Sequence, residues 1–224
     1  MVESRGVIFD VDGVLVDSYE AHFESWKRLG TESGRGYSRA DFEWGFGRTS
    51  REVIRAQWDG AKMTDAEVRE IDDRKEAYYR ELVRANFPEM PGARRLVRAL
   101  HKAGFRLAVG SSGPPANVQV VIDRYGLGPY LSAVVHGRDV TRGKPDPQVF
   151  QLAAGRLGVP PARCVVVEDA PAGIEAARRA GMKCIGVAST GRTPEQLAAA
   201  DCIVGSLEEL DPDRFAALLP TAES

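Results

Sequence analysis

Cysteine is scarce in this sequence. Three thiols, Cys164, Cys184 and Cys202, are spread through 224 residues, and their wide spacing fits no zinc-binding pattern. Each lies at the start or in the middle of an apolar, strand-like run. That predicts buried free thiols in a reducing, cytoplasmic setting. Long hydrophobic runs are missing too, since none reaches the ~18 residues of a membrane helix. The first residues show no signal-peptide pattern, because Glu3, Ser4 and Arg5 lead straight into an apolar stretch. There is no basic excess: the formal net charge is −2, which argues against nucleic acid as a partner. Local positive groups can still bind an anionic substrate. Repeats and low-complexity segments are absent.

What is there begins at Gly6. Val7, Ile8 and Phe9 form a short, largely β-branched apolar run that predicts a buried strand. It ends in Asp10, and Asp12 follows two residues later. Gly13 then permits a turn that other residues resist. After Ser18 the period changes. Tyr19, His22, Phe23, Trp26 and Leu29 recur at helical spacing. From there to about Phe87 no β run is found and helix signals recur. Ser38 caps with Asp41 three residues on, Ser50 precedes Val53, Ile54 and Trp58, and Thr64 caps with Glu67 ahead of the polar stretch 65–85. Residues 18–88 are therefore read as a small all-helical module inserted after the first strand.

Pro88-Glu89-Met90-Pro91-Gly92 is the return. Beyond it the order becomes regular: helix 93–103, strand 106–110, helix 116–125, strand 133–136, helix 147–157, strand 163–167, helix 172–180, strand 183–187, short helix 193–199 and strand 201–204. Alternation at this spacing predicts an α/β fold with a doubly wound parallel sheet, built from 1–17 and 89–224.

The strand ends carry the chemistry, and in such a sheet they converge on one crevice. The first ends in Asp10 and Asp12, the second in Val109-Gly110-Ser111-Ser112-Gly113. Gly143-Lys144-Pro145-Asp146 follows the third, and the fourth ends in Glu168-Asp169. Asp10, Asp169 and Glu168 are hard oxygen ligands suited to Mg2+. The Ser111 hydroxyl and the N–H groups of a Gly/Ser turn suit phosphate oxygens, as does the Lys144 ammonium. A carboxylate not fully committed to metal can act as a nucleophile, and a second one two residues on can carry a proton. Each group also has a plainer structural reading. Asp10 and Asp12 suit a turn, Ser111 a turn or cap with Ser112 as the alternative by one residue, Lys144 a solvated turn, and Glu168-Asp169 a helix cap compatible with metal binding.

Together these segments resemble the haloacid dehalogenase superfamily, in its phosphotransferase branch. Phe9-Asp10-Val11-Asp12-Gly13-Val14-Leu15-Val16-Asp17-Ser18 looks like the first motif. Ser111, Lys144-Pro145 and Glu168-Asp169 match the second, third and fourth in order and spacing. Glu168-Asp169-Ala170-Pro171-Ala172-Gly173-Ile174 is similar to the subfamily of β-phosphoglucomutases, phosphoglycolate phosphatases and small sugar-phosphate phosphatases. The resemblance covers essentially the whole chain. It implies that 18–88 is a helical cap on a Rossmann-like core. It implies Asp10 as nucleophile and Mg2+ ligand, and Asp12 as general acid/base whose backbone carbonyl also meets the metal. Asp169 and Glu168 are then metal residues, with Glu168 in direct contact or one step behind. Ser111 and Lys144 hold the transferring phosphoryl group.

In the helical module, His22 is read either as a packed stripe residue or as a link between cap and acid/base, and Trp26 as packing, with a place lining the substrate pocket as its alternative. Gly47-Arg48-Thr49-Ser50-Arg51 resembles the loop that reads substrate. There the mutases carry an arginine, but a gapless reading places Ser50, with Arg48 and Arg51 nearby. Lys75 is expected on a solvated helix face, with a place facing the cleft as the alternative. The expected activity is a Mg2+-dependent phosphatase for a small phosphorylated metabolite, a sugar phosphate, through an aspartyl phosphate, with a phosphoglucomutase-type isomerase and a non-catalytic phosphate-ligand binder as alternatives. Neither a membrane nor nucleic acid is expected as a partner, and a monomer or small homo-oligomer is.

Overall fold

A computed structural model of the chain describes residues 4–46, 48–59 and 62–220. The chain divides into two compact units, one formed by 1–17 with 89–224 and the other by 18–88.

The first unit is built on six parallel strands: β1 (Gly6–Phe9), β2 (Arg106–Gly110), β3 (Leu131–Val135), β4 (Cys164–Glu168), β5 (Lys183–Val187) and β6 (Cys202–Val204). Their order across the sheet is β3-β2-β1-β4-β5-β6. The winding reverses between β1 and β4, where Phe9 sits level with Val109 on one side and Val167 on the other. Each strand is short and apolar, and β1 and β4 are buried along their whole length. Buried on both faces is what a parallel sheet covered by helices requires. The cover comes from α5 (Ala93–Lys102), α6 (Pro115–Tyr125), α7 (Gln148–Leu157), α8 (Pro171–Arg179) and α9 (Pro212–Leu218). Gly126 and Gly158 end α6 and α7 in the left-handed conformation. Phe150, Leu157 and Ile174 project from these helices into one core cluster with Ile8, Val166 and Cys184 of the sheet.

Most elements match the sequence expectation to within one residue, and three differ by more. Strand β3 starts two residues early, because Leu131 pairs with Leu107 across an irregularity. The segment expected as a short helix over 193–199 forms a single tight 3-10 turn, Pro194–Leu197. Helix α9 was not expected at all. It is only seven residues long and is started by Asp211, whose side chain accepts from Arg214 N–H. The cysteines are free.

The second unit holds α1 (Tyr19–Glu32), α2 (Arg39–Gly45), α3 (Ser50–Gln57) and α4 (Asp65–Ala85). Capping boxes start three of them: Ser38 with Asp41, Thr49 with Glu52 and Thr64 with Glu67. Ser50 is thus the first residue of α3, and Thr49 is its cap. Phe23, Trp26, Leu29, Phe42, Ile54, Trp58 and Val68 form the unit's own core. Among the described residues no helix is long and apolar enough to cross a membrane.

Candidate active site

Strands β1 and β4 deliver carboxylates to the same end of the sheet. Asp10 follows β1, and its N–H extends the ladder to Val167 O at 2.9 Å. Glu168 closes β4 and Asp169 follows it. Oxygens of Asp10, Glu168 and Asp169 lie within 4.8 Å of one another, and all three residues are buried. Gly13 sits beneath them with φ +75°. A methyl group there would overlap the Asp169 carboxylate, so glycine is required twice, for its conformation and for the space.

Lys144 enters between two of the carboxylates. Its Nζ lies 2.8 Å from Asp10 Oδ1 and 2.6 Å from Glu168 Oε1, with only 9% of its side chain exposed. The other Glu168 oxygen accepts from Ala170 N–H at 2.8 Å. Gly173, in the first turn of α8, leaves just enough room for that carboxylate; a methyl there would overlap it. The chain past β5 supplies a second cation. Arg192 Nε is 3.9 Å from Asp169 Oδ2, and its side chain is largely buried. Nearby, the Thr190 hydroxyl donates to Asp17 Oδ2 at 2.7 Å, which ties this loop to the chain leaving β1.

Burial dominates the electrostatics. It pushes the Asp10 carboxyl up to about 7, helped by the Glu168 and Asp12 charges and opposed by Lys144. The Asp169 carboxyl is raised by burial, then by Glu168 and Asp10, against Arg192 and Lys144. For Lys144 burial works against the charge, but Asp10 and Glu168 outweigh it and raise the ammonium above its ordinary value. Four carboxyl groups, counting Asp12, stand against two side-chain cations, and the raised values show that without further positive charge the crevice holds protons instead. A divalent cation would offset that excess of acidic groups. The donor set fits one: the ligand atoms are hard oxygens, and buried Asp10 Oδ1 has no aligned hydrogen-bond donor although Lys144 stands beside it.

The end of β2 forms the other wall. Ser111 is buried, and its N–H donates to Val135 O at 3.0 Å. Its hydroxyl oxygen accepts from Gly113 N–H at 3.0 Å, which leaves the hydroxyl proton to give. A methyl at Gly113 would lie 3.7 Å from Asp12 Oδ2, so Asp12 stands against this turn. Ser112 is exposed and contributes backbone to the turn. Asp10, Asp12, Ser111, Lys144, Glu168 and Asp169 are thus brought together at one end of the sheet.

His22 and Arg48 belong to the helical unit. His22 Nδ1 is 2.7 Å from Lys75 Nζ, and its ring stacks on Tyr79. Lys75 corrects an expectation: it is 1% exposed, not solvated. Its helix is polar overall, but positions 68, 75, 79 and 83 share the buried face. The ammonium is compensated by Glu76 Oε1 at 2.9 Å and lies 5.4 Å from the Trp26 ring centroid. Burial is the largest single influence and would raise the Glu76 carboxyl; the Lys75 and His22 charges and the hydrogen bonds from Lys75 and Ser50 together outweigh it and hold the group down at about 2. Ser50 donates to the same carboxylate at 2.8 Å. Arg48 is exposed and lies over the Trp44 ring, 4.5 Å from its centroid. Arg51 pairs with Asp72 at 3.1 Å. Gly47 lies outside the described residues.

The residue that sequence reasoning missed is Arg192, one of 30 basic residues with no local signal. Gly173 stood in the segment after Glu168, but its reason, the room it leaves for the Glu168 carboxylate, could not be read there.

Comparison with known proteins agrees with this architecture. The family model of the haloacid dehalogenase-like hydrolases matches residues 5–181. The chain is 34% identical to validoxylamine A 7'-phosphate phosphatase of Streptomyces hygroscopicus subsp. limoneus, over 91% of this chain and 94% of the relative. It is 35% identical to β-phosphoglucomutase of Bacillus subtilis, over 82% of this chain and 83% of the relative. Among solved structures, a HAD hydrolase of family IA, variant 3, from Entamoeba histolytica superposes with a TM-score of 0.87 at 27% identity, covering 96% of this chain and 98% of the other. With its six-stranded parallel sheet and its clustered strand-end carboxylates, the chain belongs to the haloacid dehalogenase-like hydrolases.

Proposed function

We propose that the protein is a Mg2+-dependent phosphatase of a small phosphorylated metabolite, a sugar phosphate, acting through an aspartyl phosphate. The observation that carries this reading is the buried set Asp10, Lys144, Glu168 and Asp169 beside the Ser111 turn. Asp10 and Asp169 are assigned as side-chain ligands of the cation. The Glu168 oxygens are already engaged by Lys144 and Ala170 N–H, so Glu168 is assigned to holding Lys144. When bound, the cation neutralises carboxylate charge and draws electron density from the phosphoryl oxygens.

The chain's own residues do the rest. An Asp10 oxygen attacks phosphorus and the bond to the leaving oxygen breaks, while Asp12 gives that oxygen its proton. Asp12, now a carboxylate, takes a proton from water. The water oxygen attacks phosphorus, the bond to Asp10 breaks, and inorganic phosphate leaves. Lys144 and the Ser111 hydroxyl face the charge that builds on the equatorial oxygens. Substrate choice is assigned to the helical unit, 18–88.

The test is hydrolysis of p-nitrophenyl phosphate with Mg2+. The wild type should release phosphate, EDTA should stop it, and Asp10→Asn should abolish it. An Asp10→Asn enzyme of undiminished activity refutes the mechanism. The mutase relative keeps a second reading in view. Isomerisation of β-glucose 1-phosphate that depends on a bisphosphate activator, without steady phosphate release, would favour it.

A further inference from the structure

The turn after β3 lies outside every motif of the family resemblance, yet it is packed against the Ser111 turn. Two backbone hydrogen bonds join them on either side of His136: Ser111 N–H to Val135 O at 3.0 Å and Gly137 N–H to Gly113 O at 2.9 Å. Gly137 is the closest point of approach. A methyl group there would overlap the carbonyl oxygen of Ser112 and stand 3.2 Å from that of Gly113. No positive φ explains a glycine at 137, so the requirement is for space alone.

The turn is itself braced. Asp139 Oδ2 accepts from His136 N–H at 2.9 Å and lies 3.0 Å from His136 Nδ1. Arg156 of α7 donates to Asp139 Oδ1 at 2.8 Å and to Val134 O at 2.5 Å. Helix α7, which packs on β2 and β3, is thereby tied to the backbone that Ser111 rests on, directly at Val134 O and through the Asp139 carboxylate.

We propose that the turn 136–139, with Gly137 as its contact point and Asp139 as its brace, positions the Ser111–Gly113 turn for the substrate's phosphate. These are positioning residues, since none of them touches the reacting atoms. The proposal rests on the reading of Ser111 as a phosphate-binding group.

Inorganic phosphate, as a competitive inhibitor of p-nitrophenyl phosphate hydrolysis, is the probe. Gly137→Ala should raise its inhibition constant and the KM together by about tenfold, as expected for a displaced hydrogen-bonding turn. Affinity for Mn2+, read by electron paramagnetic resonance, should stay unchanged, because Asp10 and Asp169 hang on β1 and β4. Asp139→Ala, which introduces no clash, should shift the same two constants in the same direction by a smaller factor, and Asp139→Asn should sit closer to wild type. A folded Gly137→Ala protein with wild-type phosphate inhibition overturns the proposal, and so does parallel loss of Mn2+ binding. If Gly137→Ala does not fold, unchanged phosphate inhibition in Asp139→Ala overturns it. Ser111→Ala separates this failure from failure of the underlying reading: if it leaves phosphate inhibition untouched, the phosphate site itself is misassigned and the proposal falls with it.

Discussion

Replacing Lys144 by methionine separates the structural from the chemical role of the crevice. Methionine keeps the length of the stem and removes the charge. In the native protein the ammonium sits 2.8 Å from Asp10 and 2.6 Å from Glu168, nearly excluded from water. Taking one partner from a buried ion pair leaves an uncompensated charge, at a cost of about 3–5 kcal/mol. Here two carboxylates lose their partner at once, and Asp169 is within reach of both. The variant without metal should therefore lose at least that much near pH 7.5, which for a chain of this size lowers Tm by about 6–20 °C.

The pH dependence makes the argument sharper. The loss arises from repulsion and desolvation of carboxylates, so protonating them should relieve it. Asp10 already holds its proton up to about 7 with Lys144 present, and without that cation it holds it further. The gap in Tm between wild type and Lys144→Met should be widest near pH 8 and should shrink towards pH 5. Mg2+ should also narrow it, by supplying positive charge to the same oxygens. Scanning fluorimetry across that range, with EDTA and with Mg2+, measures all of this. A variant within 1 °C of wild type at pH 8, or a gap that does not change with pH, would show that Lys144 does not compensate these carboxylates.

Two further outcomes follow from the same electrostatics. In wild type without metal, Asp10 binds its proton more tightly folded than unfolded, so the native state loses stability as pH rises from about 4 to about 7. The rise from 3.8 to about 7 corresponds to about 4 kcal/mol for a single site. Urea unfolding at pH 5 and pH 8, which spans about the upper two pH units of that rise, should show a decline of about 3 kcal/mol in EDTA and a flatter profile in Mg2+; a protein that gains stability over this range in EDTA contradicts the assignment. In the helical unit, Lys75→Met leaves Glu76 buried beside Ser50 without its cation, at a cost of about 3–5 kcal/mol. The double variant Lys75→Met/Glu76→Gln should recover most of it by denaturant unfolding, and failure to recover would mean that the lysine stem, not the charge pair, is what matters.

How much of this was legible beforehand depends on where each residue finds its partner. Val7–Phe9 read as a strand because a buried parallel strand is a run of apolar residues, and that run is its own evidence. The order of alternating elements carried the doubly wound sheet for the same reason, since each period is local. The strand-end groups stood out because acids, a lysine and a Gly/Ser turn interrupt apolar runs at the places where parallel strands converge. Lys75 went the other way. Its neighbours in sequence are charged, and composition spoke louder than the one stripe that Val68, Tyr79 and Val83 share with it. Its charge partner, Glu76, is the next residue, but the groups that enclose this pair, His22 against the ammonium and Ser50 against the carboxylate, come from 53 and 26 residues away, and no local pattern announces them. Gly137 and Gly173 are harder still. Each is marked by an atom that is missing, and the need for that absence is written in the Ser112 carbonyl and the Glu168 carboxylate. A side chain with chemistry of its own can be found from sequence where it interrupts an apolar run at a strand end, as Arg192 on its loop does not. A residue whose part is to leave room for that chemistry shows itself only when both elements are in place.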